Sequence, residues 1–415
     1  MHSVSVDAAR AVSGGRAARA PRRRKELLGS PDLAEATMAG TPDTTSEPTG
    51  PFTGPALWYG PEVAGRDDWV LRLTVDHREE LRTAVRTARG RGATLLRMTV
   101  ADFPLPTLAA ELGRAAAALA EGPGFVLLRS VPAELLGEPE ASTVLRGIGQ
   151  YLGRPVPQTV GGRTLCHIRD AGPAPDGRTP PAHLTRAALP FHTAESDLLG
   201  LMCLRQARSG GRTLLASAAA VHNAVLDTRP DLAGHLYRDH LFDRREERAS
   251  GEKAYLASPL VTRHSGRPSM RYDRARLDDG ARAARGGGPD GAPAADRELY
   301  DLIDATAASP GVRLDLDLQP GDLLLLDNHV VLHARSAYED CDAAEHKRHL
   351  LRLWLARHGD ADPAGRAAGP RSRPEPRAGV TPHDVIRPRG LRTARPGCGC
   401  PAPRTRFGGS RAPRS

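Results

Sequence analysis

Leu189-Pro190-Phe191-His192-Thr193-Ala194-Glu195-Ser196-Asp197 is one of the stretches that decide the reading of this chain. The other is Asp327-Asn328-His329-Val330-Val331-Leu332-His333-Ala334-Arg335, followed by Lys347-Arg348-His349-Leu350-Leu351-Arg352-Leu353-Trp354. They are short apolar runs carrying imidazole and guanidinium groups, a length that suits buried strands. Imidazole suits Fe(II), and two His with open coordination positions mark a non-heme iron site. Either His alone is more often structural. The pair gains meaning from the arginines downstream, because a guanidinium can hold a carboxylate through two parallel bonds.

Working outward, helices come early and strands late. Arg78 to Thr87 reads as a short helix. Leu105 to Ala120 carries Leu108, Leu112, Ala116 and Leu119 at helical spacing, and Gly122-Pro123-Gly124 stops it. Phe125 to Leu128 reads as a buried strand and Ser142 to Leu152 as a helix. Strand-like runs follow at Leu201–Leu204, Thr213–Ala216, Leu256–Val261, Val312–Leu318, Leu323–Leu326 and His349–Leu355. Gly280 to Pro293 reads as a flexible insertion. The order predicts a mainly β domain, a sandwich or barrel with helices on one side.

At these residues the chain resembles the taurine dioxygenase/clavaminate synthase-like (TauD/TfdA) family of Fe(II)/2-oxoglutarate-dependent oxygenases. Gly124–Arg129, Leu152–Gln158, the His192 block, Ser209-Gly210-Gly211-Arg212-Thr213 and the Asn328–Arg352 block come in that family's order, over roughly residues 55–360. The resemblance implies a double-stranded β-helix (jelly-roll). It implies Fe(II) and 2-oxoglutarate as cofactors and a small-molecule substrate, an amino acid or derivative. By position, His192 and His333 would be the iron ligands. Thr213 and Arg348 would hold the co-substrate carboxylate. Arg352, an even number of strand positions from Arg348, would share its face. His329 competes with His333, since a spacing of four also shares a strand face. His167 is a candidate neighbour of the substrate, a surface role weighing equally.

One departure matters. The family has an acid two residues after the first His, and this chain has Ala194. Three readings follow. In the first, resemblance to halogenases with Ala or Gly there implies that chloride takes the place and a carbon is chlorinated. In the second, Glu195 or Asp197 supplies the carboxylate and the substrate is hydroxylated. In the third, the site is degenerate and the fold serves as a small-molecule binding or regulatory module.

The net charge of +9 belongs to the ends. Residues 361–415 hold twelve Arg against three acids, and residues 1–50 are close to balanced, so 51–360 is near neutral. Both ends, 1–50 and 361–415, read as disordered tails rich in Arg, Pro and Gly. A near-neutral core with 4% aromatic residues argues against nucleic-acid binding. Five scattered cysteines fit a reducing compartment rather than a disulfide framework. No apolar run is long enough to span a membrane. No signal-peptide pattern follows the Arg22–Lys25 cluster, and the expectation is a cytoplasmic protein, with Met38 a candidate alternative start. There is no Gly-x-Ser-x-Gly elbow and no phosphate-cradling loop.

Overall fold

The computed structural model describes residues 50–173, 180–245, 253–284, 291–358 and 377, which all lie in the unit Thr45–Ser415. The expected tails therefore fall outside the described residues, apart from Gly50 and Arg377.

The chain opens with α1 (Gly60–Ala64), β1 (Val70–Arg72) and α2 (Val75–Gly90). Thr74 caps α2, its hydroxyl accepting from the His77 amide at 3.2 Å. Then come α3 (Leu108–Ala120), β2 (Phe125–Arg129), α4 (Glu138–Gly149), β3 (Gly153–Pro155) and β4 (Leu165–Ile168). The middle of the chain supplies β5 (Leu189–His192), β6 (Leu198–Arg205), β7 (Ser209–Gly210), β8 (Thr213–Ser217) and α5 (Ala218–Thr228). Two hairpins follow: β9 (Asp239–Asp243) with β10 (Tyr255–Pro259), and β11 (Val261–His264) with β12 (Arg267–Met270). The last third holds α6 (Arg274–Ala284), α7 (Ala294–Ala308), β13 (Leu314–Leu316), β14 (Leu323–Asp327), β15 (Val331–Arg335), β16 (Tyr338–Glu339) and β17 (His349–Arg357).

Two sheets face one another. The larger has the order β1-β2-β14-β6-β17-β3, with β4 also on β17; the smaller has β13-β8-β15-β5. One apolar cluster fills the space between them, with Leu199, Leu201, Leu324, Leu326, Leu350 and Trp354 from the larger sheet and Leu215, Leu314 and Val331 from the smaller. Residues one position along each strand point outward. On the larger sheet Leu351, Leu353 and Leu355 meet α2, α3 and α4. On the smaller sheet Ala216, Leu332 and Ala334 meet α5 and α7. Strands covered on both faces read as continuous apolar runs, which is why β14 (LLLLD) is buried throughout. Each buried Leu contributes about 1.5–3 kcal/mol.

This is the expected jelly-roll with one correction: helices cover both outer faces, not one side. Two local expectations also change. The run Leu256–Val261 is divided between β10 and β11. Gly280, expected in a flexible insertion, is a buried residue of α6, where a β-carbon would lie 2.2 Å from the Leu241 carbonyl oxygen.

Candidate active site

The site forms where β5 and β15 lie side by side. The two strands are antiparallel and place His333 opposite His192. Both side chains project into the space between the sheets, because their strand neighbours Phe191, Leu332 and Ala334 fill the outer cluster. The ring centroids are 4.2 Å apart. Nδ1 of His192 donates to the Pro190 carbonyl at 2.9 Å, so Nε2 carries the free lone pair. Nδ1 of His333 is buried without a hydrogen-bond partner. Burial lowers the pKa of His192, with Asp273 opposing it, and drives that of His333 well below its ordinary value, assisted by His192 and Arg352. Two neutral imidazoles with available lone pairs are what a metal ion requires.

The basic residues approach from both sheets. On β17, Arg352 lies on the inward face with Leu350 and Trp354 and acts electrostatically on both imidazoles. Its Nε donates to Gln158 Oε1 at 2.6 Å, and its guanidinium lies 5.0 Å from the Trp354 ring. Arg348 precedes β17 and is buried nearer β7 and β8. Its Nη2 donates to the Gly211 carbonyl at 3.3 Å, while Nη1 has no partner. Gly211 has φ +73°, and a β-carbon there would stand 2.8 Å from Arg348 Nε, so the approach of the guanidinium depends on that glycine. Thr213 is buried on β8, opposite Arg335 in register.

Sequence reasoning missed Arg335. It lies two residues after His333, hence on the same face, and that alternation was the available signal. Its Nη2 donates to the carbonyls of Thr185 at 2.8 Å and Ala187 at 2.6 Å. Its Nε and Nη1 are buried and unpartnered. Buried, unpartnered donors thus remain on both Arg335 and Arg348, whose guanidiniums lie 5.0 and 5.1 Å from the Tyr338 ring, and such donors suit a carboxylate.

The acids near Ala194 are engaged elsewhere. Asp197 accepts from His329 Nε2 at 3.0 Å and the Arg377 amide at 2.8 Å on Oδ1, and from the Arg357 amide at 3.0 Å on Oδ2. Burial would raise its pKa, but these donors hold it below the usual range. Glu195 lies 3.3 Å from Arg271 Nη1 and 3.5 Å from Arg276 Nη1, which overcome burial in the same way. His329 does not share a strand face with His333. It sits in the turn before β15 with both ring nitrogens occupied, by Asp197 and, at 2.7 Å, by Ser269 Oγ.

Arg377, inside the expected tail, is the second residue missed. It is buried, and its Nη1 donates to the carbonyls of Ala194 at 3.1 Å and Asn328 at 3.2 Å, its Nη2 to that of Met270 at 2.6 Å. Nothing in an Arg-rich sequence singles it out.

His167 is not beside the imidazole pair. It stands opposite Leu351 on the helix-covered face, its Nδ1 2.9 Å from His349 Nε2 and its Nε2 3.6 Å from Glu138. Among the described residues, Glu138, His167 and His349 are a group whose ligand atoms lie within 4.8 Å of one another. Arg205 Nη2 lies 3.2 Å from His349 Nδ1 and can only donate. His349 Nε2 then donates to His167 Nδ1, while Glu138 lies beyond hydrogen-bond distance of His167.

The TauD, TfdA model of taurine catabolism dioxygenases matches residues 80–354, more than half of the chain. The chain belongs to that family. It is an Fe(II)/2-oxoglutarate-dependent oxygenase, as the motif order implied. It is 30% identical over 308 residues to FR-33289 synthase of Streptomyces rubellomurinus, covering 74% of this chain and 90% of that one. It is 28% identical over 303 residues to the taurine hydroxylase-like protein SAT17 of Stachybotrys chartarum, covering 71% and 77%. Among solved structures, an asparagine oxygenase in complex with Fe(II), 3-hydroxyasparagine and succinate matches with TM-score 0.55 at 17% identity, over 69% of this chain and 93% of that one. The non-heme iron oxygenase OrfP in complex with Fe, succinate and (3S)-hydroxy-L-Arg matches with TM-score 0.51 at 17% identity, over 69% and 94%. These structural likenesses are of fold. No helix among the described residues is long and apolar enough to cross a membrane.

The residues present fit the family's cofactors. The unpartnered His333 nitrogen and the lone pair of His192 suit iron, and the unpartnered donors of Arg335 and Arg348 suit an acidic co-substrate.

Proposed function

We propose that this oxygenase hydroxylates an unactivated carbon of a small, acidic, amino-acid-like molecule. His192 and His333 hold the iron through neutral imidazoles, and the Pro190 carbonyl fixes the ring of His192. Arg348 anchors the distal carboxylate of 2-oxoglutarate, with Thr213 and Arg335 beside it. When bound, iron and 2-oxoglutarate activate dioxygen for insertion into a C–H bond, and the keto acid leaves as succinate and carbon dioxide. The chain does the rest. Leu199, Leu201, Leu215 and Val331 keep water from the space between the sheets. Arg352, which faces the imidazole pair, meets an acidic group of the substrate and orients its carbon. The fold relatives that hold hydroxylated asparagine and arginine support an amino-acid derivative. The described cysteines Cys166, Cys203 and Cys341 are free thiols, in keeping with a reducing cytoplasm.

The observation that carries this reading is the in-register imidazole pair beside buried, unpartnered guanidinium donors. Succinate formation from 2-oxoglutarate under air tests it. Iron-dependent succinate, lost in H192A and R348A, is expected; succinate formation indifferent to iron or to both substitutions would overturn it.

A further inference from the structure

His192 has a neighbour on each side. On one side β15 places His333 opposite it. On the other, the segment entering α6 forms an antiparallel bridge in which Asp273 stands opposite His192. Two hydrogen bonds hold that segment in place: Thr193 N–H to the Tyr272 carbonyl at 2.8 Å, and Tyr272 N–H to Thr193 Oγ1 at 3.1 Å. Directly opposed residues of antiparallel neighbours project to the same side, their β-carbons about 4.5–5.5 Å apart. His333, His192 and Asp273 therefore form a row across three adjacent segments. The carboxylate already acts electrostatically on His192.

The acids expected to replace the missing carboxylate are committed elsewhere, Glu195 to Arg271 and Arg276, and Asp197 to His329 and two backbone amides. Asp273 is less constrained. Its Oδ1 accepts from the Arg276 amide at 3.2 Å, and its Oδ2 lies 3.9 Å from Arg245 Nη2, with a quarter of the side chain exposed. As placed, the Asp273 carboxylate is not among ligand atoms gathered within 4.8 Å of one another, so holding a cation with His192 and His333 requires Oδ2 to turn from Arg245 toward the imidazole pair.

We infer that Asp273 is the protein's third iron ligand, supplying from a separate segment the carboxylate that Ala194 cannot. This rests on the reading of His192 and His333 as iron ligands. Two imidazoles and one carboxylate complete a facial set with open positions for the co-substrate and dioxygen. The place beside Ala194 is then not needed by an added anion, and the chemistry is hydroxylation rather than chlorination.

Anaerobic calorimetric titration of Fe(II) into the full chain, in chloride-free buffer, tests this with wild type, D273N, D273A and the double variant A194D/D273A. D273N keeps the acceptor for Arg276 and guards against a folding defect, which circular dichroism checks. The expected result is Fe(II) affinity about a hundredfold weaker in D273N and D273A, recovered in A194D/D273A, with no effect of added chloride on the wild type. Wild-type affinity in both single variants, or chloride strengthening Fe(II) binding by the wild type, would overturn the role of Asp273. A wild-type chain that takes up no Fe(II) would overturn the iron reading itself, a separate and recognisable outcome.

Discussion

His333 stands opposite His192 on neighbouring antiparallel strands, and their ring centroids are 4.2 Å apart. Such a pair offers a cation two neutral donors without moving the backbone. H192A and H333A should each weaken Fe(II) binding by at least about a hundredfold, the scale that even supporting residues of metal sites reach. Both variants should stay folded, because each removes a polar group from the gap between the sheets rather than a core aliphatic. Titration with Fe(II) alongside thermal melts reads both effects.

Arg348 reaches its place only because residue 211 lacks a β-carbon. R348Q removes a charge-assisted contact of about 1.5–3 kcal/mol, which corresponds to a rise in KM for 2-oxoglutarate of about ten- to a hundredfold. G211A forces a β-carbon against Arg348 Nε at a backbone angle that disfavours L residues, and should raise the same KM in the same direction. KM for 2-oxoglutarate in the two variants checks the coupling. An unchanged value in G211A would separate the glycine from the anchor.

Arg377 ties together the carbonyls of Ala194, Asn328 and Met270, and its amide caps Asp197. These groups lie on the segments that frame the imidazole pair. R377A leaves three buried carbonyls without their donor, each costing about 1–3 kcal/mol if water cannot replace it. A lower urea midpoint is expected, with R377K recovering part of the loss. A midpoint unchanged in R377A would show that these hydrogen bonds contribute nothing to stability.

Burial, then His167 and Arg169, push the pKa of His349 down to about 4. An unfolded imidazole takes its proton near about 6.5. Between those values the unfolded chain binds a proton that the native chain excludes. Stability is therefore complete above about pH 6.5 and declines as pH falls toward about 4, by up to roughly 1.4 kcal/mol per pH unit for this one group. Urea unfolding across that window should show the decline, and H349Q should make it shallower by one group's share, His192 and His333 keeping theirs. A slope identical in H349Q would assign the proton elsewhere.

Much of this fold and site is legible in the sequence. Apolar runs such as Leu323–Leu326 announce strands covered on both faces, and α3 follows its helical spacing of Leu108, Leu112, Ala116 and Leu119. The two histidines were legible as a pair by motif order, though not their registered contact, which depends on how distant strands align. His329 was misjudged because a spacing of four implies a shared face only if both residues lie on one strand, and a turn intervenes. His167, left open between a place near the substrate and a surface role, falls on the other face by one position of strand alternation, since Cys166 is the residue opposite Arg352. Arg377 and Asp273 were beyond sequence reasoning. Their significance comes from segments brought together in space, not from any local pattern.

Anaerobic visible absorption during addition of 2-oxoglutarate to the Fe(II)-loaded chain tests the central claim most directly. A charge-transfer band should appear in the wild type, saturate at one equivalent of 2-oxoglutarate per iron, and be absent in H333A. A wild-type chain that binds Fe(II) and 2-oxoglutarate without any such band, or shows the same band in H333A, would contradict it.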